Sequence, residues 1–302
     1  MTGRWYRARF DAEISFADGG GLRTEGFRLD IPGPDIADDE LAALLVRHLG
    51  LSRVTGVSIS GKTIVEEPHQ GGRGMAATVD GRRLVELSHL ITDGMTTLPG
   101  WPVPRITDWL TREASRANYA PGVEFHVARI DMVANTGTYL DVPAHRWADG
   151  ADLTGVPLDR LADLPGVLVR VPAGTRAVDP LLLAPYEVAG RAVLLHTGWD
   201  AHFGTDRYPA ADAPYLTGAG AQWLVEAGVT LVGIDSINID DMSPAAAGER
   251  PAHSVLLAAG IPIVEHLTGL DALPPTGFRF TAAPPRVAGM GTFPVRAFAT
   301  VD

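Results

Sequence analysis

Residues 193–265 leave few folds open to this chain. Three short apolar runs, 193–196, 229–234 and 261–264, lead into His196, Asp235 and Glu265. Between them stand two stretches with helical character, 217–227 and 251–259, the second stopped by Gly260. Buried strands that alternate with helices form parallel pairs in a sheet covered by those helices. The expected class is therefore α/β, a sheet with parallel pairs and covering helices. Ligands in such sheets collect at the carboxyl ends of strands, where Asp235 and Glu265 fall.

The first 80 or so residues follow a different pattern. Residues 4–16 and 22–31 alternate in places like strands, and Gly19-Gly20-Gly21 supplies the turn of a hairpin. Asp38-Asp39-Glu40 puts acidic groups at a helix start, residues 41–49 carry the apolar stripe, and Gly50 ends it. Residues 54–65 read as one more strand, and Gln70-Gly71-Gly72-Arg73-Gly74 as a linker. The division expected is a small α+β extension over 1–74 and a larger α/β domain over 75–302.

Composition narrows the function classes. Of 302 residues, 25 are basic and 36 acidic, a formal charge of −11 that disfavours nucleic acid and anionic membranes as partners. No cysteine is present, which removes thiolate metal sites and cysteine nucleophiles. The amino terminus carries no signal-peptide pattern, and no run approaches the roughly 18 apolar residues that span a bilayer. A cytoplasmic protein with a small-molecule substrate and no organic cofactor is the expectation.

Chemistry concentrates in Asn135-Thr136-Gly137-Thr138-Tyr139-Leu140-Asp141-Val142-Pro143-Ala144-His145. On an extended backbone Asn135, Tyr139, Asp141 and His145 share one face, and Leu140, Val142 and Ala144 pack behind. His253, near the start of the 251–259 helix, and Glu265 complete a set. One imidazole and two carboxylates suit a divalent cation such as Zn or Mn. His145 would remain as an acid or base, since its ordinary pKa lies close to neutrality.

These segments resemble the cyclase family of metal-dependent hydrolases, which includes bacterial kynurenine formamidases and isatin hydrolases. The family signature, His-x-Gly-Thr-His-x-Asp-x-Pro-x-His, is matched at Gly137, Thr138, Asp141, Pro143 and His145. The likeness continues through Leu87-Ser88-His89, His196-Thr197-Gly198-Trp199, Gly233-Ile234-Asp235-Ser236, His253, Pro262-Ile263-Val264-Glu265, Gly289 and Pro294-Val295-Arg296-Ala297-Phe298. It covers roughly residues 82 to 300 and implies a swivelling β/β/α-like domain with a mixed sheet and covering helices, and a homo-oligomer. It further implies that Asp141, His253 and Glu265 bind metal and that His145 shuttles the proton. Asn135 and Tyr139 stand where the family has two metal-binding histidines, so a mononuclear site is expected. Those two side chains would then donate hydrogen bonds to a developing oxyanion.

The expected activity is hydrolysis of an amide, lactam or related carbonyl compound. Two other readings stay open: a metal-independent cyclase, dehydratase or isomerase using His145, Tyr139, Asp141 and Glu265 as acid/base groups, and a non-catalytic binding protein. Among the remaining groups, His89 divides between pocket and structural roles, and His196 and Asp235 read as structural. His266 follows Glu265 and should point to the opposite face of an extended chain. Trp101, Trp147 and Trp199 are considered as an aromatic wall, with burial in the core as the default. The acidic group Asp235, Asp240 and Asp241 lacks the spacing of a calcium loop.

Overall fold

The computed structural model describes residues 5–17, 19–31, 33–67, 77–79 and 82–301. A ten-stranded sheet organises most of them. Its order is Thr292–Pro294, Tyr139–Asp141, Ile263–Glu265, Leu231–Ile234, Ala192–His196, Leu164–Arg170, Phe278–Thr281, Phe298–Val301, Arg82–Glu86 and Ala77–Val79. The run from Ile263–Glu265 to Leu164–Arg170 is parallel. The pairings on both sides of it are antiparallel. The sheet is thus mixed, and the expected α/β class holds.

Parallel neighbours need a crossover, and the helices Gly218–Glu226 and Pro251–Ala258 provide two of them. Thr217 precedes the first as its N-cap, its hydroxyl accepting the Gly220 N–H. Leu224, Leu256 and Leu257 from these helices pack on Val193, Leu195, Val232 and Ile263. The opposite sheet face is also dry. There Leu140, Val264, Leu194, Leu168, Phe280, Ala299 and Val85 form one core. Leu140 and Val85 come from opposite ends of the sheet, so the sheet curls on itself. Backbone hydrogen bonds from Leu87 to Ala297 and from Thr268 to Leu87 tie the curl closed. Burial on both faces explains the near-continuous apolar runs of the central strands.

The amino-terminal unit is a three-stranded antiparallel sheet, Gly21–Ile31, Trp5–Phe16 and Val54–Glu67, under the helix Asp38–Leu49. Alternate residues Ala8, Phe10, Ala12 and Ile14 meet Leu41, Leu45 and Leu49. Gly50 ends that helix at φ 67°, a left-handed conformation that glycine tolerates without Cβ strain. Leu51 packs against the cores of both units, and the Ser52 hydroxyl donates to Pro185 O at 2.9 Å. The expected linker at 70–74 and the boundary after residue 74 lie outside the described residues. So does His69. An exposed two-stranded hairpin, Arg105–Leu110 with Val127–Asp131, is an element the sequence did not announce. Among the described residues no helix is long and apolar enough to cross a membrane.

Candidate active site

The segment 135–145 is a strand only over Tyr139–Asp141, which corrects the expectation of one extended run. Two backbone features end it. Gly137 takes φ 66° and its N–H donates to the Thr97 hydroxyl at 2.8 Å, so alternation fails before Tyr139. After Asp141, Pro143–His145 forms a short 3-10 turn. A Cβ on Gly291 would collide with the His145 backbone, so glycine there lets that turn lie close against the edge strand.

Strand register assembles the cluster. Tyr139 lies opposite Glu265, and Asp141 lies between Ile263 on one side and Thr292 on the other. Directly opposed residues on antiparallel strands point the same way. Accordingly the Tyr139 hydroxyl donates to Glu265 Oε2 at 2.6 Å, and the Thr292 hydroxyl donates to Asp141 Oδ1. Leu140 projects backward into the core.

His253 arrives from the helix Pro251–Ala258. The Asp240 carboxylate accepts the Ala252 N–H at 2.6 Å and the His253 N–H at 3.0 Å in the first turn of that helix. It also holds His253 Nδ1 at 2.7 Å. Nε2 therefore faces Asp141 Oδ2 at 3.6 Å and Glu265 Oε1 at 3.7 Å. The second carboxylate oxygen of Asp141 is buried and has no hydrogen-bond partner. A buried, unsatisfied carboxylate oxygen is costly unless a cation or proton meets it. Ligand atoms of Asp141, His145 and His253 lie within 4.8 Å of one another. This donor set, two imidazoles and a carboxylate with a further carboxylate alongside, fits a divalent metal.

The electrostatics point the same way. Burial opposes a charge on His253, but Glu265, Asp141 and Asp240 outweigh it and push the imidazole up to about 10. Burial raises Glu265 to about 7, against the pull of His253. Three carboxylates around one imidazole leave an excess of negative charge. A cation relieves it.

Glu265 is nevertheless well occupied. Besides Tyr139, the Ile239 N–H donates to its Oε1. Tyr139 is 1% exposed, and burial, followed by the Glu265 charge, pushes its pKa well up, while a side-chain hydrogen bond with Asn135 works the other way. The single phenolic proton belongs to Glu265. In this arrangement the Tyr139 hydroxyl is turned to Glu265, and substitution separates a positioning role from the expected oxyanion one. Tyr139→Phe is expected to lower stability by about 1–3 kcal/mol, because Glu265 Oε2 loses a buried donor. Turnover should fall by less than about tenfold, against the ~10²–10³ of a lost oxyanion donor. Denaturant melts and steady-state rates on the same preparation distinguish these, and a hundredfold rate loss at unchanged stability would restore the oxyanion role.

His145 sits at the open edge of the cluster, its side chain 34% exposed and its Nδ1 3.7 Å from Asp141 Oδ1. Its Nδ1 also meets the Thr292 hydroxyl at 2.6 Å. That hydroxyl has one proton, already given to Asp141, so it accepts from Nδ1–H and leaves Nε2 as the basic nitrogen.

Several side chains depart from the sequence reading. His266 takes φ 56°, so it does not point away from Glu265 as an extended chain requires. Its Nε2 lies 3.2 Å from the Tyr139 hydroxyl and its Nδ1 2.8 Å from that of Tyr208. Burial drives its pKa down to about 3. Neutral His266 accepts from Tyr208 and donates to Tyr139, which continues the chain to Glu265. Asp240 and Thr292 carry structural weight that nothing in one sequence announces. Asp235 accepts from Thr197 N–H and hydroxyl and from Gly198 N–H, a loop clamp outside the cluster. His89 stacks on Phe203 at 3.6 Å. Trp199 is buried with its N–H on Tyr208 O, Trp147 packs against the helix-covered core, and Trp101 is half exposed. The three make no common wall.

The curled mixed sheet thus gathers Asp141, His145 and His253 into one cluster, and comparison with known proteins gives the chain its class. The chain is a member of the putative cyclase family, whose model matches residues 85–241, over half of its length. It is 28% identical over 216 residues to the kynurenine formamidase of Delftia acidovorans, covering 72% of this chain and 96% of that protein. Its fold is similar to isatin hydrolase A from Ralstonia solanacearum, with a TM-score of 0.61, 24% identity, and coverage of 73% and 92% of the two chains. A structure described as a potential metal-dependent hydrolase with cyclase activity matches at a TM-score of 0.59 and 23% identity, over 73% and 98% of the chains. The expected family and fold class are met, and the expectation of an enzyme agrees with relatives named as enzymes.

Proposed function

We propose that this chain hydrolyses an amide, lactam or related carbonyl substrate at a site for one divalent ion. Asp141, His253 and Glu265 hold the ion, and His145 moves the proton. The observation that carries the reading is the buried Asp141 Oδ2, which accepts no hydrogen bond and faces His253 Nε2 at 3.6 Å, with Glu265 alongside. Glu265 Oε1 keeps a second lone pair beside its bond to Ile239 N–H. Asn135 and Tyr139 offer no imidazole for a second ion, which favours a mononuclear site. A bound Zn or Mn would lower the pKa of water and polarise the carbonyl.

The chain's own groups supply the rest. Asp240 fixes the His253 ring by holding Nδ1, as second partners of metal-binding histidines commonly do. Asp141 accepts from Thr292, and Thr292 accepts from His145, so the Nε2 of His145 is presented unprotonated toward the open side. Nε2 takes a proton from water as its oxygen attacks the carbonyl carbon. The same proton then passes to the leaving nitrogen as the C–N bond breaks, giving a carboxylic acid and an amine. Asp141 stabilises the imidazolium in between at 3.7 Å.

The test combines elemental analysis with a substrate panel. Aryl formamides, five-membered lactams and lactones are offered to enzyme as purified, after chelation, and after reloading with Zn or Mn. The expected result is close to one ion per chain and turnover of at least one class that chelation abolishes and reloading restores. Turnover that survives complete removal of metal would move the site to the acid/base cyclase or dehydratase reading. A metal-free protein inactive on every class, even after reloading, would support the non-catalytic one.

A further inference from the structure

A cleft of about 820 Å³ opens between the amino-terminal sheet and the large sheet. None of Asp141, His145, His253 or Glu265 lines it. One wall comes from residues 16–28, outside the part of the chain matched by the family model, and the other from residues 170–186. Arg170, the last residue of the strand Leu164–Arg170, lies in its lining beside His48 and His196.

The Arg170 guanidinium is incompletely served. One Nη donates to Leu273 O at 2.9 Å and the other meets His196 Nδ1 at 3.2 Å. Its Nε is buried without a partner. No carboxylate among the described residues lies within ion-pair distance of it. The flanking imidazoles do not add charge at neutral pH: burial, then Arg170 itself, lowers His48 and His196 to about 4. The lining carboxylates have other tasks. Glu25 faces Arg23 at 3.5 Å, and Asp179 caps a helix by accepting the Leu182 N–H. Asp271 acts on the Arg170 guanidinium only from beyond ion-pair distance, so this partly buried cation keeps N–H groups for a closer counter-charge. The remaining lining includes the apolar side chains Leu22, Phe27, Leu181, Leu182 and Tyr186, with Arg23 and Arg28 as further cations.

We propose that this cleft is a second ligand site, taking a small organic monocarboxylate with an apolar, aromatic-sized body. Arg170 pairs with the carboxylate, for which its planar N–H array is suited. The apolar walls hold the body of the ligand. The site is independent of the hydrolytic reading, since it shares no residue with the Asp141 cluster.

Calorimetric titration with 2-naphthoate tests it. Full-length protein is compared with Arg170→Met, with the rim variant Leu181→Glu, and with His145→Ala. Binding to one site is expected, at least tenfold weaker in Arg170→Met and in Leu181→Glu, and unchanged in His145→Ala. Leu181 is 74% exposed, so its variant probes the cleft even where Arg170→Met folds poorly. The neutral isostere 2-naphthamide should bind at least tenfold more weakly, and inorganic phosphate should not compete. Equal affinity for acid and amide, loss of binding in His145→Ala with retention in Arg170→Met, or competition by phosphate would each overturn the proposal.

Discussion

Asp141→Asn is expected to abolish the bound ion and to reduce turnover by about 10³-fold or more, while its fold is as stable as that of the parent compared free of metal, or more so. The opposed directions follow from one geometry. Asp141 is fully buried and its Oδ2 has no hydrogen-bond partner in the protein. An amide in its place keeps the volume and an oxygen acceptor while removing one of the three carboxylate charges crowded around His253. A metal site loses its anionic ligand in the same step, and with it several kcal/mol of charge stabilisation in the transition state. Elemental analysis, thermal unfolding and steady-state rates on one preparation measure all three quantities. A variant that keeps both its ion and its rate would remove Asp141 from the site.

His145→Ala carries the second large effect. Loss of a positioned acid/base group costs about 10²–10⁴ in rate, and the ion should remain near one per chain. Added imidazole should restore part of the turnover, because the exposed edge of the cluster has room where the ring stood. Metal content decides between two roles that the geometry places side by side. His145 stands within 4.8 Å of the other two ligand atoms, whereas both oxygens of Glu265 already accept hydrogen bonds. If the ion leaves with His145, the imidazole is the third ligand and Glu265 is a hydrogen-bonded neighbour.

The residues of the proposed site were visible in the sequence for unequal reasons. Asp141, His253 and Glu265 lie in short segments whose pattern resembles a family. Tyr139 was visible as a departure from that pattern, but its role depends on the antiparallel register that sets it opposite Glu265. Asp240 and Thr292 could not be found by spacing. Each is ordinary in its own segment, and each matters because a distant strand or helix terminus meets it. His266 shows the limit of period-two reasoning: one residue at φ 56° turns the ring toward the side that alternation denies it.

The sequence by itself determined the α/β class, the hairpin and helix of the amino-terminal unit, and the family. Those follow from local signals: apolar runs bounded by glycine, helix stops, and a motif within eleven residues. Tertiary structure alone decided which side chains meet. Pairing strands that are distant in sequence brings residues more than 100 positions apart, such as Asp141 and Thr292 or Tyr139 and Glu265, into hydrogen bonds. The cleft at Arg170 exists for the same reason, since its walls belong to two units that local sequence describes separately. Local propensity acts over a few residues, whereas a buried charge is paired or left unpaired by whatever the fold brings next to it.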